Sequence, residues 1–404
     1  MVKTVVGALL ASCFLAMPVR AEVVTDWAEL AQEIAAVDRT PWSVERHHID
    51  VRLGLAMFEA ANAIDHKYES FLALDRETGE ASVEAAVMTA AREVLSTYYP
   101  DHEQEIDRSY ELALATLPDA GKSAGAAIGI AAAEAAIAMP ATREGATFVR
   151  YRPVTTPGTY VPGALPAYAD EMSTLVTLSY ANFEELMPPP PPSLTSEIWA
   201  RDFNEVKSLG ARDSTARQPV QTVMARYRIT PVIIPALRSI ADRPGRSTVD
   251  NARLYALINI ADADTSVVTG MAKLRYNFWR PITAIRNADR DDNPGTEIDA
   301  DWQPLLNTPN HPEYPCAHCS WTAAVAEVFK AEVGNAPEGG VKVGSRSLEL
   351  AAMQTLPTFD KWVEEVSYSR ILGGAHFRFS NESGERLGRQ VAARTLTLLP
   401  PIEP

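Results

Sequence analysis

Lys273-Leu-Arg-Tyr-Asn-Phe-Trp-Arg280-Pro281 sets two permanent cations among aromatic residues. Two later fragments give it meaning: Pro315-Cys-Ala-His318, and Ser369-Arg370 with His376 six residues on. Lys273, Arg280 and Arg370 supply fixed positive charge. His318 and His376 can move protons or bond a central atom. A set of this kind suits a small tetrahedral oxyanion. In sequence it lies between stretches of helical apolar spacing, which makes the fold class a helical one with the site built into it.

The chain has 404 residues, 46% of them hydrophobic and 22% charged, with a formal net charge of −15. It is long enough to bury a large core in one domain or two. The acidic balance argues against nucleic acid or an anionic membrane as a partner, so a cluster of cations is a local exception. Lys3, the apolar run from Val5 to Met17 and the small-x-small site Val19-Arg-Ala21 read as an exported leader, residues 1–21. The run is shorter than the ~20 residues needed to span a bilayer. Losing it removes Lys3 and Arg20 and no acid, so the remainder is more acidic still. The expected location is exported, periplasmic or secreted. Cys13 leaves with the leader. Cys316 and Cys319 remain, three apart at a helix start where two sulfurs can meet, and export favours their oxidation to a disulfide.

Apolar residues recur at three- and four-residue steps from Glu22 to Leu72, Ser82 to Tyr99, Asp101 to Leu117 and Gly121 to Met139, which predicts helices. Ala141 to Tyr168 is rich in Pro, Gly and Thr and reads as an extended connection. Pro188 to Pro192 must be polyproline II and marks a boundary between residues 22–187 and 193–401. Helices follow over Glu197 to Leu209, Thr248 to Trp279 (with Asp264-Thr265 as a point where it could break), Ser320 to Val333, Ser345 to Leu356, Phe359 to Leu372 and Glu382 to Leu399. Arg286 to Trp302 reads as an acidic loop and Gly334 to Gly344 as a Gly-rich one. The expected class is all-α, two packed helical bundles with the oxyanion site in the second.

On one helix Lys273 and Arg280, two turns apart, would share a face, with Cα atoms ~10 Å apart along the axis. Pro281 puts Arg280 at a helix end. The alternative, two solvated basic residues, sits poorly with Tyr276, Phe278 and Trp279 around them. Pro315-Cys-Ala-His318 precedes a helix, whose start presents unpaired N–H groups to an anion; a capping or core histidine is the bland alternative. Gly373-Gly374 lets the chain turn between Arg370 and His376, so both can reach one point.

The ordered triple resembles the vanadium-dependent haloperoxidases and the related type 2 phosphatidic acid phosphatase (PAP2) superfamily, whose pattern is Lys-x6-Arg-Pro, Pro-Ser-Gly-His and Ser-Arg-x5-His-x3-Asp. The flanks Tyr276-Asn-Phe-Trp-Arg-Pro-Ile-Thr-Ala-Ile-Arg286, His311-Pro-Glu-Tyr-Pro315 and Ala375-His-Phe-Arg-Phe-Ser-Asn381 are similar to the exported bacterial haloperoxidase-like branch. The resemblance implies that Lys273, Arg280 and Arg370, with the Cys316 and Ala317 positions, grip vanadate or its isostere phosphate. His318 would be the acid–base group and His376 the axial ligand of vanadium or a phosphate-attacking nucleophile. Lys273 would polarise hydrogen peroxide, halide would attack it, and hypohalous acid would leave for a small organic acceptor. His311 stands where His accompanies bromide oxidation and Phe chloride oxidation, which implies a bromide- and iodide-oxidising site.

Cys316 replaces the family's Ser, Ala317 its Gly and Ser380 its Asp. The last departure predicts that a neutral group orients His376. Cys316-Ala-His-Cys319 lacks four zinc ligands, and Asp289-x-Asp291-x-Asn293 continues into Pro294 where a calcium loop needs Gly. The leading expectation is an exported vanadate-dependent haloperoxidase. Its rivals are an exported acid phosphatase working through a phosphohistidine and a catalytically silent phosphate-binding homologue. No nucleic-acid or membrane partner is expected, and a homo-oligomer is left open.

Overall fold

Apolar residues at helical spacing dominate this chain, and helices account for most of the described backbone. The computed structural model describes residues 22–38, 44–77, 79–143, 154–162, 175–228, 231–345 and 353–402. The expected leader and most of the extended connection read at Ala141 to Tyr168 fall outside them. Among the described residues the N-terminal half contributes α1 (Val23–Val37), α2 (Val44–Asp65), α3 (Val83–Tyr98), α4 (Glu103–Ala115) and α5 (Lys122–Ile137). The rest contributes α6 (Glu197–Leu209), α7 (Pro219–Tyr227), α8 (Ile234–Ala241), α9 (Thr248–Tyr276), α10 (Pro281–Ile285), α11 (Ala317–Val333), α12 (Phe359–Leu372) and α13 (Arg378–Thr395). None of the described helices is long and apolar enough to cross a membrane.

The axis of the molecule is α9. Ser247 caps its start by accepting the Asp250 N–H. Its buried residues lie on nearly every side, because α2 packs on one flank and α11 and α13 on others. One apolar cluster runs from Trp27 and Ile34 on α1, through Phe58 on α2, to Leu257 on α9 and Phe329 on α11. The two halves therefore share core surface. The helix does not break at Asp264-Thr265. Asp264 instead turns its buried carboxylate to the Leu178 and Ser179 amides (3.0 and 2.6 Å), and so ties the segment before the proline run to the middle of α9.

Two expectations fail here. The described parts of Ser345 to Leu356 are strand, not helix, and the Gly-rich stretch becomes strand from Val341. The strands β1 (Pro231–Val232), β2 (Val341–Ser345) and β3 (Gln354–Leu356) form a small antiparallel sheet in that order. Val341 and Val343 point into the core, while Lys342 is half-buried and reaches Thr355. That alternation is a strand's, but it is too brief to stand out in the sequence.

The closest helix pair near the site is α11 with α13. A Cβ on Gly384 would lie 2.5 Å from the Cys316 carbonyl oxygen, and one on Gly388 would lie 2.0 Å from that of Ser320. Both obstacles are backbone, which cannot rotate aside. Gly388→Ala should therefore cost roughly 1–3 kcal/mol of stability by forcing the helices apart. Chemical unfolding checks this, and a midpoint equal to the parent's would mean that the pair yields more freely than its backbone contacts imply.

Candidate functional site

Lys273 lies in the last turn of α9, which stops at Tyr276 because Asn277 takes a left-handed conformation (φ 42°). Asparagine tolerates that region better than most residues. The chain then runs extended to Arg280, which precedes α10 (φ −81°, ψ 156°). Lys273 and Arg280 thus do not share a helical face, contrary to the sequence expectation. They approach one region from a helix end and from an extended corner. Behind that corner Phe278 and Trp279 pack with Trp199, Phe203, Phe377 and Phe379 in a second apolar cluster. Trp199 stacks 5.8 Å from Trp279, and Phe377 on Phe379 at 5.4 Å.

The loop from His311 to Cys316 wraps these cations. Lys273 Nζ donates to the carbonyls of Pro312 (2.9 Å), Glu313 (2.8 Å) and Pro315 (2.5 Å). Arg280 Nε donates to the His311 carbonyl (2.9 Å) and Nη1 to that of Ala375 (2.9 Å). Arg280 Nη2 lies 2.9 Å from His311 Nδ1. The proline-rich sequence explains the arrangement: proline has no N–H, and the carbonyls, free of any ladder, turn inward to the cations. The segment before the site is fastened the same way. Tyr314 Oη donates to the Pro189 carbonyl (2.7 Å) and Tyr276 Oη to that of Pro188.

Arg370 is the last-turn cation of α12. Gly373 caps the helix, Gly374 takes φ 72°, and His376 follows before α13. This is the turn that the paired glycines predict. Arg370 Nε and Nη2 both donate to Ser369 Oγ (3.0 and 2.8 Å). His376 is 2% exposed, and its Nε2 lies 3.1 Å from Arg280 Nη1. On its other side Nδ1 lies 2.8 Å from Glu313 Oε1. Sequence reasoning missed Glu313. The group behind His376 is the buried carboxyl of Glu313, which the expectation drawn from Ser380 did not include. The available signal was an acid between prolines, His311-Pro-Glu-Tyr-Pro315, in an otherwise apolar stretch.

His318 stands in the first turn of α11, partly exposed, and close enough to His311 to bias its titration. Ala317 is the first helical residue, so its N–H has no acceptor within the helix. Cys316 and Cys319 are joined as a disulfide with Cα atoms 5.3 Å apart. The Cys316 sulfur is therefore not a free thiolate at the mouth of the site.

The electrostatics are one-sided. Burial pushes Lys273 well below its usual range, Arg280 adds to this and Glu313 opposes it. Burial and then Arg280 bring Arg370 down to about 10. His376 and His311 are held neutral by burial and next by Arg280 and Lys273. Burial lifts Glu313 to about 7 despite both cations. Among the described residues no carboxylate is ion-paired with Lys273 or Arg370. Buried charge of one sign is costly unless compensated. An anion placed among these groups would oppose the downward shifts of Lys273 and Arg370. A tetrahedral oxyanion such as vanadate or phosphate fits this donor set, which is cationic, dry and faced by an imidazole nitrogen.

Arg370→Met should accordingly leave the ion-free protein as stable as the parent or more so, since a buried like charge is removed. It should weaken oxyanion binding by about 1.5–3 kcal/mol, the worth of a charged hydrogen bond. Thermal unfolding with and without orthophosphate reads both. An undiminished phosphate-induced shift in the variant would remove Arg370 from the site.

Comparison with known proteins bears on the same region. Residues 253–400 match the family model of the VCPO second helical-bundle domain. Over 94 residues the chain is 30% identical to vanadium chloroperoxidase of Curvularia inaequalis, a match covering 21% of this chain and 15% of that protein. The match thus spans far less than two thirds of that relative. Among solved structures, the first bacterial vanadium-dependent iodoperoxidase is similar over 96% of this chain and 99% of its own, with a TM-score of 0.75 at 19% identity. An apo-type bacterial vanadium-dependent chloroperoxidase covers 86% and 91%, with a TM-score of 0.65 at 15% identity. At such identities the structural likeness is one of fold.

Proposed function

We propose, on the premise that residues 253–400 belong to the second helical-bundle domain family of the vanadium chloroperoxidases, that this protein is a vanadate-dependent haloperoxidase. It would oxidise halide with hydrogen peroxide and release hypohalous acid. The observation that carries this reading is the gathering of three buried cations around a neutral His376, with Arg280 directly at its Nε2. That gathering suits an ion bearing several negative oxygens and a central atom that accepts a nitrogen ligand.

In this reading Lys273, Arg280, Arg370 and the Ala317 amide would hold the oxyanion, and His376 Nε2 would be its nitrogen ligand. Vanadate, once bound, supplies a Lewis-acid centre that activates peroxide without a change of redox state in the protein. Lys273 keeps its carbonyl partners at the inner wall while its charge stabilises negative oxygen. His318, at the helix start and partly exposed, is placed to exchange protons between the site and solvent. The leader-like residues 1–21 support export to the periplasm or medium. A small organic acceptor would take up the hypohalous product outside the cage.

A second reading keeps one observation in its favour. A histidine nitrogen with its lone pair facing an oxyanion cage can also attack phosphorus, which is the arrangement of an acid phosphatase. Assays with and without orthovanadate separate the two. Vanadate should switch on peroxide- and bromide-dependent halogenation in the first case and inhibit aryl phosphate hydrolysis in the second. His376→Ala should abolish vanadate retention, measured by dialysis and metal analysis. His318→Ala should retain vanadate and lose at least ~100-fold in turnover, the usual worth of a general acid–base group. Parent-like vanadate binding in both variants would remove His376 from its assigned role.

The halide preference rests on His311, whose ring lies beside Arg280 and near His318. An imidazole there can hydrogen-bond an oxygen in the cage, whereas a phenyl ring would leave it drier. Bromide and iodide should be oxidised well and chloride poorly. His311→Phe should raise the chloride-to-bromide ratio of kcat/KM several-fold, and unchanged halide kinetics would exclude His311 from halide selection.

A further inference from the structure

We infer that Glu313 is the positioning residue for His376: it fixes which nitrogen of the imidazole faces the oxyanion, and it does so from the loop that grips Lys273. The inference rests on the assignment of the cage as an oxyanion site, and not on the identity of the reaction.

The tautomer follows from the partners. Arg280 Nη1, 3.1 Å from His376 Nε2, can only donate. Nε2 must therefore be the unprotonated nitrogen. A neutral imidazole then carries its proton on Nδ1, which faces Glu313 Oε1 at 2.8 Å and donates to it. Oε1 also accepts the Phe377 N–H at 3.0 Å. The carboxylate thus reads the ring and the backbone beside it together, which leaves the ring no freedom to flip. Such a pairing raises the donor strength of the opposite nitrogen.

Glu313 itself is fixed. It is fully buried, its N–H donates to the Phe278 carbonyl (2.9 Å), and its own carbonyl accepts from Lys273 Nζ (2.8 Å). One residue therefore sets the imidazole through its side chain and the lysine through its backbone. The helix start at α13 brings Ser380 against the same carboxylate. A carboxylate at position 380 would reach the ground that Glu313 occupies, and could supply from the helix the charge that Glu313 places behind His376 from the loop.

Two measurements on the full-length protein, dialysed free of oxyanion, test this. Nitrogen NMR of histidine-labelled parent, with His376 assigned by its loss in His376→Ala, should show the Nδ1–H tautomer. Protonation at Nε2 would overturn the inference, and this reading needs no Glu313 variant to fold. In equilibrium dialysis against orthovanadate, Glu313→Gln should raise the Kd about 10- to 100-fold, the usual effect of losing a group that orients a ligand. Adding Ser380→Asp to Glu313→Gln should bring the Kd back to within about threefold of the parent, which loss of packing alone would not allow. An unchanged Kd in Glu313→Gln, or a folded double variant that binds no better than the single one, would overturn the assignment. Neither readout uses turnover. A parent that binds vanadate and meets both expectations but does not halogenate would sink the haloperoxidase reading and leave this one standing.

Discussion

Three like charges held together in a dry interior are the constraint on which the rest of this structure depends. Lys273, Arg280 and Arg370 are each nearly or fully buried, and Arg280 acts unfavourably on both of the others. Hydrogen bonds to carbonyl oxygens offset part of the desolvation, because a carbonyl dipole can face a cation without adding a titratable group. Five backbone carbonyls do this for Lys273 and Arg280. The fold must deliver those carbonyls, which explains why the site is walled by a proline-rich loop and not by a regular element.

The scaffold answers with rigidity around an irregular centre. The long helix α9 is embedded on nearly all sides and ends where Asn277 turns the chain, so Lys273 is projected from a fixed point. Trp199, Trp279, Phe377 and Phe379 pack behind Arg280 and His376 and exclude water from the far side. The glycines of α13 let it approach α11 at backbone distance, which brings the residues after His376 against the Cys316 turn. Core packing and site geometry are thus one problem here: loosening the α11–α13 contact would move an imidazole relative to a helix start.

The sequence made the charged members of the site legible because their order and spacing are specific even when each fragment alone is not. It left their geometry open. The expected common face of Lys273 and Arg280 assumed that helix continued through Asn277, and a residue able to take φ above zero is a weak signal until the structure shows that it does. Glu313 went unread because its importance comes from a side chain crossing to another segment, which spacing along one element cannot reveal. The strands beside residues 346–352 escaped because two or three alternating residues do not make a period. Asp264 misled for a related reason: an acid in mid-helix suggests a break unless some distant amide needs it.

The loop from His311 to Cys316 is held differently at its two ends, and this shapes how the site can respond to an ion. At the Cys316 end the protein fastens it. The Cys316 N–H reaches the Ser380 carbonyl at 3.2 Å, the disulfide closes the turn, and Gly384 lets α13 pack directly against the Cys316 carbonyl. At the His311 end Arg280 holds both the His311 carbonyl and its ring. An oxyanion that draws the guanidinium must compete for those hydrogen bonds, whereas the Glu313 and Pro315 carbonyls on Lys273 sit further along the loop. Ion binding in the proposed cage should therefore be felt at His311. In the proposed reading His311 is the residue through which a bound ion would act on the rest of the pocket, beside a turn that the disulfide closes.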